Sequence, residues 1–413
     1  MSEPVPPAAH RLDEIPPRDH ARPTDRLVAF AARWLSAALS QGTAMPAIAS
    51  LVIIAVFFQS QSQYFLSPGN LSNLAVQATL VAIIALGEIF VLLLGDIDLS
   101  LGSMAGASAA LLGVLITNGH MPWLLAIFIM LAFGAVLGSF QGWWIAWLGI
   151  PAFVVTLAGN MGFLGLQLYI LGPNGTLGIF DPNIAALSGT ELPVSLGWIL
   201  AAIVAVAVVA TTLVRYAHGG VAVRSLSRPV VVGVLIVAAV AVFNASRGVP
   251  TPFLILIALL VVAWWVTMNT SPGRHLFAVG GNAEAARRAG VQVKRIRMAA
   301  FAVSGTLGAT GGLIAASYNG SAGTLTGGGT LLLEAIGAAV IGGTSLFGGR
   351  GSVWAALVGA LIMSGVENGL DLMNSDQPVK YMVQGIIVLL AVSLDTILRR
   401  RQSRGRQLGV AHA

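Results

Sequence analysis

The chain has 413 residues, of which 56% are hydrophobic and 9% charged, far below the roughly one quarter charged of a soluble globular domain. Water is thereby excluded as its main solvent. The lack of cysteine excludes disulfides and thiolate metal sites, and the net charge of +6 is no nucleic-acid face, because the basic residues are scattered between apolar segments.

A membrane crossing takes about 20 largely apolar residues for a hydrocarbon core of roughly 30 Å. In lipid the backbone must satisfy its own polar groups, so the fold class is all-α, a polytopic transmembrane helix bundle. Residues 1–44, rich in Pro, Arg and acids and without an apolar signal region, predict a disordered cytoplasmic tail. The transmembrane domain then runs over 45–398, with spans expected at 45–65, 75–94, 99–116, 123–147, 153–171, 196–214, 230–245, 252–269, 298–317, 331–347, 352–367 and 379–398, and a basic tail at 399–413.

Twelve spans place both termini on one side. Of the 22 Lys and Arg, 20 fall on that side: five in the N-terminal tail, Arg215, Arg224 and Arg228, six from Arg274 to Arg297, Arg350, and five in the C-terminal tail. Only Arg247 and Lys380 lie opposite, so the positive-inside rule puts both termini in the cytoplasm. Within the spans, Gly recurs at four-residue spacing (Gly102 and Gly106; Gly134, Gly138 and Gly142; Gly308 and Gly312; Gly365 and Gly369), a pattern that lets helix backbones approach closely.

Both lysines, Lys294 and Lys380, follow a valine, so the Gly-Lys-Ser/Thr of a Walker A motif is absent and phosphate-driven work must come from another chain or an ion gradient. Charges inside a bilayer cost about 2.5 to 3.5 kcal/mol each, so the few that remain are functional candidates. Glu88 lies in the second span, as a pathway-lining group or a structural carboxylate. Glu334, near an expected water interface, reads as a solvated helix end. Asp96 and Asp98 sit in the break Gly95-Asp96-Ile97-Asp98-Leu99-Ser100, where Asp98 or Ser100 is placed to cap the third helix. A second Gly-rich break spans Gly342 to Gly351, and paired breaks point to transporter binding sites. Asn160 and Gln167 lie two turns apart on one face of the fifth span. The candidate pathway set is therefore Glu88, Asp96, Asp98, Ser100, Asn160 and Gln167.

In the loop 270–297, Asn282 suits an N-cap, Glu284 the first helical turn and Gly290 the closing C′ position. The spacing predicts a helix of about two turns, Ala283 to Ala289, bearing Arg287 and Arg288 on the small residues Ala285 and Ala286. Taken alone it also fits a basic loop resting on anionic lipid.

The run Gly280-Gly281-Asn282-Ala283-Glu284-Ala285-Ala286-Arg287-Arg288-Ala289-Gly290-Val291 resembles the loop by which permeases of the ATP-binding cassette importer family for ribose, xylose and branched-chain amino acids engage their ATPase. Gly95 to Gly102, Gly149-Ile150-Pro151-Ala152-Phe153-Val154-Val155-Thr156-Leu157, and Ile341 to Gly351 resemble that family's hallmarks in the same order, covering most of residues 70 to 398. The resemblance implies a ten-span permease core, homodimeric or pseudo-dimeric, docking a cytoplasmic ATP-binding subunit and receiving solute from a periplasmic sugar-binding protein. It further implies that Asn282 to Gly290 form the coupling helix, and that ATP and magnesium bind the partner rather than this chain. Ala283 stands where the family commonly has Pro. The additional apolar pair 230–245 and 252–269, Asp96 before Ile97-Asp98-Leu99-Ser100, and Gly175-Thr176 resemble the xylose branch. Two rival readings are a proton-coupled secondary sugar carrier using Glu88, and a non-transporting scaffold that holds an ATPase at the membrane.

Overall fold

The computed structural model describes residues 44–217, 223–390 and 392–393. The expected tails, 1–44 apart from Ala44 and 399–413, lie outside the described residues. The chain divides into a unit ending at Pro46 and a unit from Ala47 onward; all that follows concerns the second.

In chain order the helices are α1 Ala44–Gln61, α2 Pro68–Leu92, α3 Leu101–Gly113 continued by a π turn Val114–Asn118, α4 Trp123–Leu148, α5 Ala152–Leu171, α6 Pro182–Gly189, α7 Val194–Ala217 and α8 Val223–Asn244. They continue with α9 Thr251–Asn269, α10 Ser271–Gly281, α11 Ala283–Arg288, α12 Val293–Asn319, α13 Leu331–Ile341 and α14 Ala355–Leu372, then α15 Gln377–Leu390. Among the described residues seven helices are long and apolar enough to cross a membrane, and five apolar helices are shorter. Each of the twelve expected spans overlaps one of these helices, counting α3 with its π turn, and the end of the last, 394–398, lies outside the described residues. Two expectations miss at the Gly-rich break: α13 ends at Ile341 rather than 347, and α14 begins at Ala355 rather than 352, because Gly343, Gly348, Gly349 and Gly351 take positive φ.

Local chemistry sets the helix starts. Ser67 accepts the Asn70 N–H ahead of α2, with Pro68 at its first position; Asp181 accepts from Asn183 and Ile184 ahead of α6, with Pro182 first. α4 stops at Gly149 and α12 at Gly320, both left-handed.

α2 is buried round most of its circumference, as an all-apolar helix at a bundle centre must be, with α12, α13, α14 and α9 packed about it. α4 and α12 are antiparallel and nearly touch by their backbones: a Cβ on Gly134, Gly138 or Gly142 meets Gly305, Phe301 or Met298 respectively. The expected ladder of Gly134, Gly138 and Gly142 is therefore a packing seam. Away from the seam α4 turns Phe128, Val136, Phe140, Trp143, Trp144 and Trp147 outward, an apolar surface suited to lipid with its indoles towards one end.

Two short antiparallel pairs tie connections together: β1 Thr176–Gly178 with β4 Ser321–Gly323, and β2 Glu191–Leu192 with β3 Val249–Pro250. β4 follows the C-terminus of α12, whereas α11 precedes its N-terminus. At 1.5 Å per residue the 27 residues of α12 hold these two regions about 40 Å apart.

Candidate functional site

Three backbone segments converge beside α11. The Gly349 amide donates to the Leu93 carbonyl at 2.9 Å. A Cβ on Gly280 collides with that same carbonyl and reaches the Gly349 nitrogen at 2.7 Å, and one on Gly348 lies 2.8 Å from both the Gly280 oxygen and the Gly95 nitrogen. The expected breaks at 95–100 and 342–351 thus meet each other and the root of the arginine-bearing helix, and only residues without side chains allow it. A helix that the loop reading omitted, α10, carries the chain into this junction. It is capped by Thr270, which accepts the Gly273 N–H, and buries Leu276 and Val279.

α11 forms as expected from its residues. The Asn282 side chain accepts the Ala285 N–H at 2.9 Å, so Ala283 in place of Pro does not remove the cap. At the other end Gly290, at φ +85°, donates to the Arg287 carbonyl and Val291 to that of Ala286, the paired bonds of a Schellman closure. Ala286 is buried against the core, while Glu284, Arg287 and Arg288 have 50%, 71% and 79% of their side chains exposed. Arg287 and Arg288 each pair with Glu284, and the Arg287 hydrogen bond leads in holding the Glu284 carboxyl below its ordinary value. The result is a short rod, rigid at both ends and cationic on its free face.

Between this junction and the middle of the bundle lies a buried polar cluster. The Asp98 N–H donates to Glu88 Oε1 at 3.2 Å; Asp98 Oδ1 accepts from the Ser100 amide and hydroxyl at 3.0 and 2.6 Å; Asp98 Oδ2 accepts from Ser304 at 3.2 Å. The Gln141 amide donates to Ser100 Oγ at 3.0 Å. Glu88, Asp98, Ser100 and Ser304 are fully buried, and Glu88 Oε2 has no partner. Of the two residues expected to cap the third helix, Asp98 accepts a backbone N–H, that of Ser100, whereas the Ser100 side chain caps nothing. Asp96 stands apart from the cluster, 3.6 Å from Arg297 Nε, an ion pair too long for a hydrogen bond. Ser304 lies 11 residues into α12, so the cluster sits about 16 Å from that helix's start and α3 begins inside the bundle.

The far side holds a cleft of about 440 Å³ lined by α2, the end of α12, the loop 325–330, α13, α14 and Tyr381 of α15. Its polar groups include Gln77, Glu334, Ser364, Glu367 and Asp371, with Val76, Leu80, Val81 and Ile314 as an apolar wall. Glu334 is no solvated helix end: it is 5% exposed, with Thr330 and Gln384 donating to its Oε1, because loop 325–330 folds back into the bundle before α13 starts. Gly102 packs on the Gly327 carbonyl, so the starts of α3 and α13 adjoin.

None of the six candidate pathway residues lines this cleft. Glu88, Asp98, Ser100 and Asp96 belong to the cluster and junction, and Asn160 is half-buried on α5. The Gln167 amide donates to the carbonyls of Gly323 at 2.8 Å and Thr326 at 3.0 Å, which makes it the clamp of the loop that forms one cleft wall. Gln77, Ser364, Glu367 and Asp371 carry no motif in the sequence, and only the fold brings them together. Among the described residues no three His, Asp or Glu side chains are grouped as a metal site.

Residues 70–392 match the family described as branched-chain amino acid transport system / permease component. The chain is 38% identical over 365 residues to the xylose transport system permease protein of Escherichia coli (strain K12), covering 86% of this chain and 92% of that protein. It is 33% identical over 369 residues to the protein of the same description from Haemophilus influenzae, covering 86% and 96%. It is 31% identical over 353 residues to the ribose import permease protein of Haemophilus influenzae, covering 85% and 92%. No solved structure matches.

Proposed function

This chain belongs to the branched-chain amino acid transport system / permease component family, and we propose that it moves a pentose, xylose or a close relative, into the cytoplasm by alternating access. It is a multi-pass inner-membrane permease subunit of an ATP-binding cassette importer and not itself an enzyme; ATP hydrolysis belongs to a separate ATP-binding subunit, and solute arrives from a periplasmic binding protein. The substrate follows from the xylose and ribose permeases that it resembles over nearly their whole length.

The observation that carries this reading is the seating of α11. A rod capped at both ends, with Arg287 and Arg288 outward and its root locked by backbone contact to both Gly-rich breaks, passes displacement into the bundle with little loss. In this account ATP-driven closure of the partner moves α11, the junction at Gly95, Gly280 and Gly348 follows, and α3 and α13 shift with it. Nothing in α11 performs chemistry; it transmits position.

Twelve spans with both termini cytoplasmic is the topology this account uses, in agreement with where the connections gather. The junction of 93–95, 280–281 and 348–349 joins loops expected on the cytoplasmic side, and the pairs β1 with β4 and β2 with β3 join loops expected on the periplasmic side. Two copies of this chain with two ATP-binding subunits are the proposed assembly, and membrane lipid covers the outward apolar faces of α4, α5 and α9. Arg287→Glu with Arg288→Glu tests the reading: the ATP-binding subunit should no longer copurify and uptake should cease. Undiminished copurification with normal turnover would remove α11 from the docking site.

A further inference from the structure

We propose that the cleft between α2, α12, α13 and α14 is the outward solute vestibule, in which Glu367, Glu334 and Ser364 hold the hydroxyls of a neutral sugar and from which net-anionic solutes such as sugar acids are repelled; this rests on the importer reading. The volume of about 440 Å³ lies within the range of small-molecule sites, about 300 to 1,000 Å³. Ser364 is among the cleft-lining residues, is 1% exposed, and its buried hydroxyl has no hydrogen-bond partner. A buried hydroxyl with no partner costs free energy that an arriving hydrogen bonder recovers.

The lining chemistry selects the guest. Glu334, Glu367 and Asp371 are acceptors, and no Lys, Arg or His is among the lining residues. The nearby cation, Lys380, is held by Asp371. Sugar hydroxyls donate to carboxylates through short, charge-assisted bonds, and the C–H faces of the ring match Val76, Leu80, Val81 and Ile314. A sugar acid, which carries a carboxylate and no cation of its own, meets these carboxylates and finds no lining cation to offset the repulsion. Position agrees: the cleft is lined by Tyr318, Asn319 and Asp371, at the ends of α12 and α14 remote from α11.

The test uses the complete complex in proteoliposomes, with the ATP-binding subunit and the binding protein present. The chain lacks cysteine, so Ser364→Cys supplies a unique thiol. A membrane-impermeant cationic thiol reagent added from the binding-protein side should label it, and D-xylose with binding protein should slow labelling about tenfold, while the sugar acid D-xylonate should not. Glu367→Gln should lower D-xylose uptake about tenfold with the complex still assembled. No labelling, labelling indifferent to D-xylose, or full uptake by a Glu367→Leu, Ser364→Val double variant overturns the vestibule. A wild-type complex that takes up no D-xylose overturns the importer reading itself, and the vestibule with it.

Discussion

The Gly349 N–H donates to the carbonyl oxygen of Leu93 at 2.9 Å, although 256 positions separate the two residues in the sequence. The Leu93 oxygen is also where a Cβ on Gly280 collides, so one carbonyl marks the meeting of three chain segments. Gly280→Ala is expected to wedge them apart at about 1 to 3 kcal/mol. The exposed face of α11 stays intact, so the ATP-binding subunit should still copurify while uptake falls about tenfold, within the usual span of a coupling free energy. Parallel assays of copurification and uptake check this, and normal uptake would show that the junction tolerates being opened.

The caps of α11 carry a second prediction. Asn282→Ala removes the acceptor for the Ala285 N–H and is expected to cost about 1 kcal/mol of helix stability, which weakens affinity for the ATP-binding subunit about fivefold. Asn282→Asp should retain most of it. Ala283→Pro runs the other way: Asn282 is already extended at φ −162°, ψ 100°, so proline fits the first helical position and should tighten binding slightly. Binding measured by surface capture of the ATP-binding subunit distinguishes the three.

Glu88 separates the importer from a proton-coupled carrier. Its Oε1 accepts the Asp98 N–H, a bond that the carbonyl of Gln reproduces. Glu88→Gln should therefore keep uptake within about twofold, whereas Glu88→Leu leaves the buried Asp98 N–H unpaired at about 1 to 3 kcal/mol and should lower the amount of folded protein. A carrier that uses Glu88 as its proton site loses all uptake in both variants. Uptake with and without an uncoupler, normalised to membrane level, gives the answer.

Gln167 and Asn160 make unequal contributions in this account. Gln167→Leu removes the donor to the Gly323 and Thr326 carbonyls and should loosen the wall formed by loop 325–330, cutting uptake several-fold at unchanged membrane level; about 1 kcal/mol for a lost hydrogen bond corresponds to roughly fivefold. The double variant with Asn160→Leu should be little worse. A large extra loss from Asn160→Leu would make Asn160 a pathway group in its own right.

The apolar helices and the short capped helix α11 were legible in the sequence because their signals are local. Twenty apolar residues, and Asn282 with Glu284 and Gly290, each act within one or two turns, whereas the cap of Ser67 and Pro68 was passed over and α2 starts at Pro68 rather than 75. The cleft was not legible. Glu334 read as a solvated end because the fold-back of loop 325–330 is a tertiary event, and Gln77, Ser364, Glu367 and Asp371 are unremarkable until α2 and α14 stand side by side. Glu88, Asp98 and Ser100 were found by the rule that polar groups in a membrane segment need a purpose. The rule does not tell a pathway from a clamp, and here the three are bonded to one another and lie outside the cleft lining. The breaks at Gly95 and Gly348 were visible separately, but their contact was not, since no periodicity encodes which two loops share an end of the bundle.

The most direct measurement is D-xylose uptake into proteoliposomes holding this chain alone, compared with the same chain supplied with its ATP-binding subunit, binding protein and ATP. No uptake is expected from the chain alone, and the assembled complex is expected to show ATP-dependent, vanadate-sensitive uptake that an uncoupler leaves intact. Accumulation by the chain alone, abolished by an uncoupler, would contradict the importer reading.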